Sequence, residues 1–517
     1  MKKTILIGGK AGQGINKISE IISNILMKNG YFIFNYRDYP SLIRGGHNFN
    51  TLTISDKRVG STETKLDTII AMDDLTIKTH KKNLKKNGTI IDFKQFEKLG
   101  KNQNISQASA YLKTIGISQK EIETEISSHF KTTESLKAVS FGYDTQDEKE
   151  KFNPLKNNIQ LLSGSQGTAI GAINSKLQIY IAYPMTPATG VMHELAAKQN
   201  KNLMVFEGEN EISCISMALG ANFTGALTMT GTSGGGFDLM SESLSLQGIS
   251  EIPLTIYLCS RPGPGTGVPT YTSQSDLDIA LRAGHGEFPR IVIAPGNSKE
   301  TIEKTNEALF LSEKFNTLSI LLSDKHLAES QFSFNTKLQK PLKTNFNRDL
   351  PHKKIVKASS YETDKEGNTT ESEELTKKNQ DNRTKKYKKI KEYINKNFET
   401  VKIYGKKNSK NLIIGWGSTK SAILDTIDDL DCKFLQILYV KPLSQKIKTE
   451  MTKAKNIILV ENNLTGQLGR LLREKTGIRI NQKNRILKYD SRPFWTDELK
   501  QEIKKRLKWK PWNPQKP

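Results

Sequence analysis

The sequence predicts an α/β protein built of three successive α/β domains, and three observations carry that prediction. Apolar runs of strand length recur along the chain, helical stretches separate them, and one long polar segment interrupts the alternation. With 517 residues the chain has room for about three or four domains of ~150 residues each.

Residues 1–153 open the pattern. TILIGG, KISEIISNILMKNG and YFIFNY read as strand, helix and strand, and TIIAMDD and GTIIDF add further strands, so a small α/β domain is expected. Residues 154–345 form the second. IYIAY, NLMVF, ALTMT, LTIYL and RIVIA alternate with helical stretches, which implies a mostly parallel sheet. Residues 346–410 are polar and charge-dense, as in KASSYETDKEGNTTESEELTKKNQ, and read as a linker or surface excursion whose tail forms an exposed helix. In residues 411–517, NLIIGWG, KFLQILYV and NIILVE restore the alternation and predict the third domain.

Composition narrows the function classes. The three cysteines, Cys214, Cys259 and Cys432, are far apart, which suits reduced thiols and cannot supply four thiolates to an iron–sulfur cluster. Glycines and Lys10 interrupt the N-terminal apolar run short of a signal peptide, and no segment reaches the ~18 apolar residues of a membrane span, so a cytoplasmic protein without membrane attachment is expected. The net charge of +24 raises nucleic-acid binding as a function. Yet blocks such as TKKYKKIKEY are lysine-rich and lack aromatic platforms or zinc-finger spacing, so solvated basic faces account for them and no nucleic-acid partner is expected.

Six segments carry candidate chemistry. GGKAGQGIN follows a strand and opens a helix, so Gly12 and Gly14 serve either a tight turn or an anion cradle at the helix start. RGGH, with Arg44, Gly45 and Gly46, offers an anion site or a turn on equal terms. YPMTP, with Tyr183, Pro184 and Thr186, is a proline-stiffened loop at the carboxyl end of a buried strand, where open α/β sheets bind ligands. FEGENEIS places Glu209 and Glu211 at the next strand-to-helix junction, with Ile212, Ile215 and Leu219 expected as the buried stripe behind them. TGTSGGGF brings Thr232, Ser233 and Gly234 into a loop whose glycines admit close backbone approach. In SRPGPGTGVPT, Arg261 stands just beyond a strand and offers a two-pronged donor to a carboxylate or phosphate, with Thr270 following it.

In this order and spacing, YPMTPAT, ENEISCISMALGA, TGTSGGGF, SRPGPGTGVPT and QSDL resemble the α subunit of 2-oxoacid:ferredoxin oxidoreductases. AGQG and RGGH resemble the γ domain fused ahead of it, and VENNLTGQLGRLLR and YDSRPFW the C-terminal module of the same family. Three departures stand out: GSQG at Gly164–Gly167, Met185 for an isoleucine, and DSRP for a DGRP-like stretch.

The resemblance implies a γ-type domain, a thiamine-diphosphate-binding central domain of the pyrimidine type, and a transketolase C-terminal-like third domain. It implies CoA-dependent oxidative decarboxylation of a 2-oxoacid, with ferredoxin as electron acceptor and 2-oxoglutarate or a broad range favoured over pyruvate or branched-chain acids. Glu209 takes the place of the acid that activates the aminopyrimidine, and Glu211 is left to helix capping. Thr186 contacts substrate and cofactor, Arg261 and Thr270 grip the 2-oxoacid, and Tyr183, Pro184, Thr232, Ser233 and Gly234 line the cofactor. The chain shows no Gly-Asp-Gly with a downstream asparagine, so Mg2+, the diphosphate end and a [4Fe–4S] cluster are expected on a separate β subunit, in a heterodimer or dimer of heterodimers. No metal ligand is expected here, and AGQG and RGGH are the candidate coenzyme A contacts. A nucleotide- or nucleic-acid-binding protein and a non-catalytic paralogue are the alternatives from other classes.

Overall fold

The computed structural model describes residues 1–40, 45–335, 337–344 and 348–508. The chain divides into two units, one of Met1–Leu162, Ser330–Lys337 and Trp495–Glu498, the other of Ser163–Glu329, Leu338–Phe494 and Leu499–Pro517.

The first unit holds a mixed seven-stranded sheet. Lys2–Gly9 lies parallel to Leu66–Ala71, which lies parallel to Leu84–Asp92, and antiparallel to Asn48–Ser55, which pairs in turn with Phe32–Asp38. Gln331–Asn335 pairs antiparallel with Phe32–Asp38, and Ile159–Ser163 completes the sheet. The helix Ile15–Lys28 packs on it because Ile15, Ile18, Ile22 and Ile25 recur every three to four residues and are all buried. The sheet thus takes a strand from residues 331–335, inside the span expected for the second domain.

The second unit contains two sheets. The larger runs Tyr439–Lys441, Arg290–Ile293, Leu318–Asp324, Leu254–Ser260, Thr228–Thr232, Ile179–Ala182, Met204–Glu207, and every pairing is parallel except that of Tyr439–Lys441. Its central strand LTIYLCS is buried on both faces, as an unbroken apolar run requires. Leu254, Ile256 and Leu258 enter one core while Tyr257 and Cys259 enter the other. Each such aliphatic side chain contributes roughly 1.5–3 kcal/mol when fully buried. The smaller sheet, Val401–Gly405, Lys433–Ile437, Asn411–Trp416, Asn456–Glu461, Arg485–Leu487, is parallel apart from its first strand.

Three expectations are corrected here. The third domain is not a separate body: Tyr439–Lys441 adds an edge to the larger sheet, and Ile256 and Val292 share one core with Leu412, Ile414 and Leu435. Across that junction Glu300 accepts from Lys420 (2.6 Å), Lys402 (3.1 Å) and Gln436 (2.7 Å). Burial opposes its charge, yet the two lysines hold the carboxyl well below the usual carboxylate range. The polar segment also ends earlier than residue 410, because Val401–Gly405 pairs with Lys433–Ile437. Its helix, Glu373–Asn397, is not exposed throughout: Ile390 and Ile394 are buried, and Tyr393 packs on Phe310 and Phe315.

Candidate functional site

Four neighbouring parallel strands, Leu254–Ser260, Thr228–Thr232, Ile179–Ala182 and Met204–Glu207, release their chains at one edge. The loops that follow are SRPGPG, SGGG, YPMTP and GEN, so parallel order alone gathers four of the predicted segments at the carboxyl edge of the sheet.

Arg261 and Thr186 meet there. Nη1 of the half-buried guanidinium donates to the Thr186 carbonyl oxygen at 2.9 Å, which ties the arginine to the proline loop. Burial lowers the affinity of Arg261 for its proton, and the nearby carboxyls of Asp276 and Glu211 oppose that effect. Both acids therefore lie in the field of one cation.

Of the two acids at this junction, the buried one is Glu211. Glu209 is exposed in the loop, whereas Glu211 is 3% exposed and its Oε1 has no hydrogen-bond partner among the described residues. Capping does not occupy it, because Asn210 caps the helix Glu211–Thr224: its side chain accepts from Ser213 N at 2.9 Å. The buried stripe is also displaced. Ile212 is 49% exposed, and the residues facing inward are Glu211, Cys214, Ile215, Ala218, Leu219 and Asn222. The signals were present in the sequence, since asparagine is a better helix cap than glutamate and positions 211, 214, 215 and 218 share one helical face.

Thr232, Ser233 and Gly234 are all buried, and Ser233 Oγ has no partner among the described residues. A methyl group added at Gly236 would strike Thr232 Oγ1 and Glu211 Oε1, and one at Gly234 would meet the carboxylate of Asp276. These glycines are thus required by protein atoms pressing on the loop. Asp276, the acid of QSDL, has no role that its sequence alone assigns. Burial pushes its carboxyl up to about 6, against the lowering effects of Ser260, Ser275 and Arg261, and its Oδ2 has no partner among the described residues. Asp238 adds to the upward shift.

The remaining predicted residues fall less close together. Thr270 is buried but makes no hydrogen bond to Arg261 or Thr186 among the described residues. The stretch after it is anchored to the smaller sheet, where Gln274 Nε2 donates to the Trp416 carbonyl at 2.9 Å and Gln274 Oε1 accepts from Asn462 N at 2.9 Å. Tyr183 is exposed and Pro184 half-buried.

In the first unit, Gly12 and Gly14 have positive φ and form a turn in which Lys10 N donates to Gln13 Oε1 at 2.6 Å. Gly45 and Gly46 also have positive φ, while Arg44 lies outside the described residues. Beside them His47 and His80 share a hydrogen bond, Nε2 to Nε2, at 2.9 Å. Burial and the neighbouring His47 push His80 down to about 4, and burial lowers His47. Among the described residues no group of three or more His, Cys, Asp or Glu is placed to hold a metal ion, and no helix is long and apolar enough to cross a membrane.

Known proteins match both halves of this description. Residues 4–142 match the family described as pyruvate ferredoxin/flavodoxin oxidoreductase, and residues 170–408 its thiamine-diphosphate-binding domain. The chain is 30% identical to the α subunit of 2-oxoacid:ferredoxin oxidoreductase from a Sulfolobus species, over 98% of this chain and 97% of that one. It is 39% identical to the 2-oxoglutarate synthase subunit KorA of Archaeoglobus fulgidus over 33% of this chain and 51% of that one. The solved 2-oxoglutarate:ferredoxin oxidoreductase of Magnetococcus marinus, with 2-oxoglutarate, coenzyme A and succinyl-CoA bound, superposes with a TM-score of 0.88 at 22% identity, over 98% of this chain and 100% of that one.

Proposed function

Since the chain belongs to the family of 2-oxoacid:ferredoxin oxidoreductase α subunits, with the γ-type domain fused ahead, we propose that Glu211, Arg261, Thr186 and Asp276 are its working residues at a site completed by a β subunit. The reaction is the CoA-dependent oxidative decarboxylation of a 2-oxoacid: 2-oxoacid, CoA and two oxidised ferredoxins give acyl-CoA, CO2, two reduced ferredoxins and a proton. Among substrates, 2-oxoglutarate or a broad range is favoured over pyruvate or branched-chain acids.

The observation that carries this reading is Glu211 Oε1, a buried carboxylate oxygen left without a partner beside a glycine loop. Leaving such an atom unpaired costs about 1–3 kcal/mol or more for a charged group, so a donor supplied from outside the chain accounts for it. An aminopyrimidine protonated at N1′ is such a donor, and a buried carboxyl facing it fits the pyrimidine end of thiamine diphosphate. When bound, that cofactor supplies the carbon nucleophile for the 2-oxoacid carbonyl and the electron sink for decarboxylation. Glu211 holds and exchanges the proton at N1′, in the role the sequence had suggested for Glu209. Arg261 presents its free nitrogens to the 2-oxoacid carboxylate while Nη1 secures Thr186, so the anion site and the proline loop are positioned as one piece. Asp276, adjacent to Arg261 and Gly234, keeps the cation from facing an empty field and stands ready as a proton carrier near neutral pH. In this proposal Ser233 and Gly234 line the cofactor, and Thr270 joins Arg261 in gripping the 2-oxoacid.

Mg2+, the diphosphate end and the [4Fe–4S] cluster belong to the β subunit in this proposal. The three cysteines are each buried separately in this chain and cannot ligate a cluster. Support for β-subunit docking comes from Tyr183, Phe206, Ile212, Leu239 and Val268, large apolar residues exposed on the strands, loops and helices around the site. In the γ-type domain, the AGQG and RGGH turns are the proposed coenzyme A contacts. The protein is proposed to act in the cytoplasm.

Reconstitution with the β subunit tests the whole reading: 2-oxoglutarate and coenzyme A together should drive ferredoxin reduction, and omission of either should abolish it. Full ferredoxin reduction by the chain without a β subunit would reject the divided site.

A further inference from the structure

A second cavity, of about 390 Å3, lies within the second unit beside the edge strand Tyr439–Lys441. Its walls come from four helices: Glu373–Asn397 brings Tyr387 and Lys391, Leu277–Arg282 its last two residues, Gln445–Lys453 its first turn and Gln467–Thr476 its last. The volume falls within the usual range of small-molecule sites, roughly 300–1,000 Å3.

Its charge is one-sided. Arg282, Lys391, Lys441, Lys448 and Lys475 line it, against Glu474 as the single acid. Glu474 is already engaged, at 2.6 Å from Arg282 and 2.8 Å from Lys475. Lys391, Lys441 and Lys448 therefore have no carboxylate partner among the described residues. Behind them the buried Arg290 donates to the carbonyls of Ala283 (2.6 Å) and Ala280 (3.4 Å) and has no carboxylate partner among the described residues. Lys441 is half-buried and its Nζ reaches the Leu281 carbonyl at 3.3 Å. Burial and the charges of Arg290, Lys475 and Arg282, with only Glu474 opposing, push Lys441 down to about 8. The first turn of Gln445–Lys453, capped by Ser444, opens on the same space and adds the positive end of a helix. The opposite wall is apolar, with Leu281, Val440, Leu443 and Leu471 beside the ring of Tyr387.

We propose that this cavity is a binding site for a small organic polyanion of the nucleoside-phosphate class, its phosphates held by Lys441, Lys448 and the helix start at Ser444, its base against Tyr387 and the apolar wall. Concavity and the apolar wall favour a small molecule over the acidic surface of a protein, which would meet the outer lysines alone. An anion between Lys441 and Lys448 relieves the mutual repulsion of the cations, which is the source of the binding energy. Binding should consequently weaken as the pH rises past about 8, where Lys441 loses its proton. The site is separate from the carboxyl edge of the sheet and does not depend on the function proposed there.

Calorimetric titration of the full chain tests it, with ADP as the probe and the Lys441 and Lys448 variants separating this cavity from any other adenine site. One ADP per chain should bind, and inorganic pyrophosphate, which lacks the base, should bind more weakly. Lys441→Met and the exposed Lys448→Gln should each weaken ADP by about tenfold or more, the loss of one charged contact, while Lys441→Arg retains most of it. Lys448→Gln changes only a surface side chain, so a folding defect in the other variant leaves the test intact. No ADP binding by the wild-type chain, or affinities unchanged in both variants, would overturn the proposal. Lys441-dependent binding of poly-glutamate in place of ADP would overturn it in favour of an acidic protein partner.

Discussion

Arg261 Nη1 lies 2.9 Å from the carbonyl oxygen of Thr186 and joins the arginine loop to the proline loop. Removing the guanidinium therefore disturbs two things, the anion grip and the position of Thr186. Arg261→Lys should lower kcat/KM for the 2-oxoacid by the equivalent of about 1.5–3 kcal/mol, the value of a charged hydrogen bond. Because Thr186 moves as well, kcat should fall together with a rise in KM. Steady-state kinetics of the complex with its β subunit would show this split; a change in KM alone would mean that the bond to Thr186 has no catalytic consequence.

Glu211→Gln keeps shape and packing and removes the exchangeable proton. Deuterium exchange at thiamine C2 in the reconstituted complex should slow by ~10²–10⁴-fold, the usual contribution of a positioned acid or base. Glu209→Gln, at an exposed loop position, should exchange like the wild type. The reverse ranking would return the role to Glu209.

Asp276 should make stability pH-dependent in a definite direction. Its carboxyl is raised from 3.8 to about 6 by burial, so the native state binds the proton more tightly than the unfolded chain. The resulting stabilisation is complete below about pH 4 and is lost as the pH climbs through about 6, a change of about 3 kcal/mol at 1.36 kcal/mol per pH unit. Urea unfolding of wild type and Asp276→Asn, compared from pH 4 to 7, should show a stability difference that moves in favour of the variant as pH rises. A constant difference would mean that Asp276 does not titrate in this window.

Two adjacent glycines should respond oppositely to alanine. At Gly236 the new methyl meets Thr232 Oγ1 and Glu211 Oε1, and overpacking of this kind costs roughly 1–3 kcal/mol. At Gly235 nothing lies within 4 Å, so alanine should be neutral or stabilise the short helix Gly234–Leu239 by up to about 1 kcal/mol. Thermal melts of both variants, followed by C2 exchange, separate the packing effect from any effect on Glu211.

The sequence by itself determined the fold class and the loops of the site. Strand-length runs such as LTIYLC and the stiff YPMTP loop are local signals, and a parallel sheet places the ends of such strands at one edge whatever follows. The motifs in their order also carried the family. Which acid is buried was legible in part, since Asn210 is the better helix cap and positions 211, 214 and 215 share a face, but packing decides that this face turns inward and takes Glu211 with it. Only tertiary structure decided the partition of the chain. The strands Tyr439–Lys441 and Gln331–Asn335 join sheets distant in sequence, through hydrogen bonds that no local pattern encodes. The same holds for Asp276 and for the cations around Lys441: each is an ordinary charged residue in sequence, and its chemistry follows from neighbours that folding brings beside it.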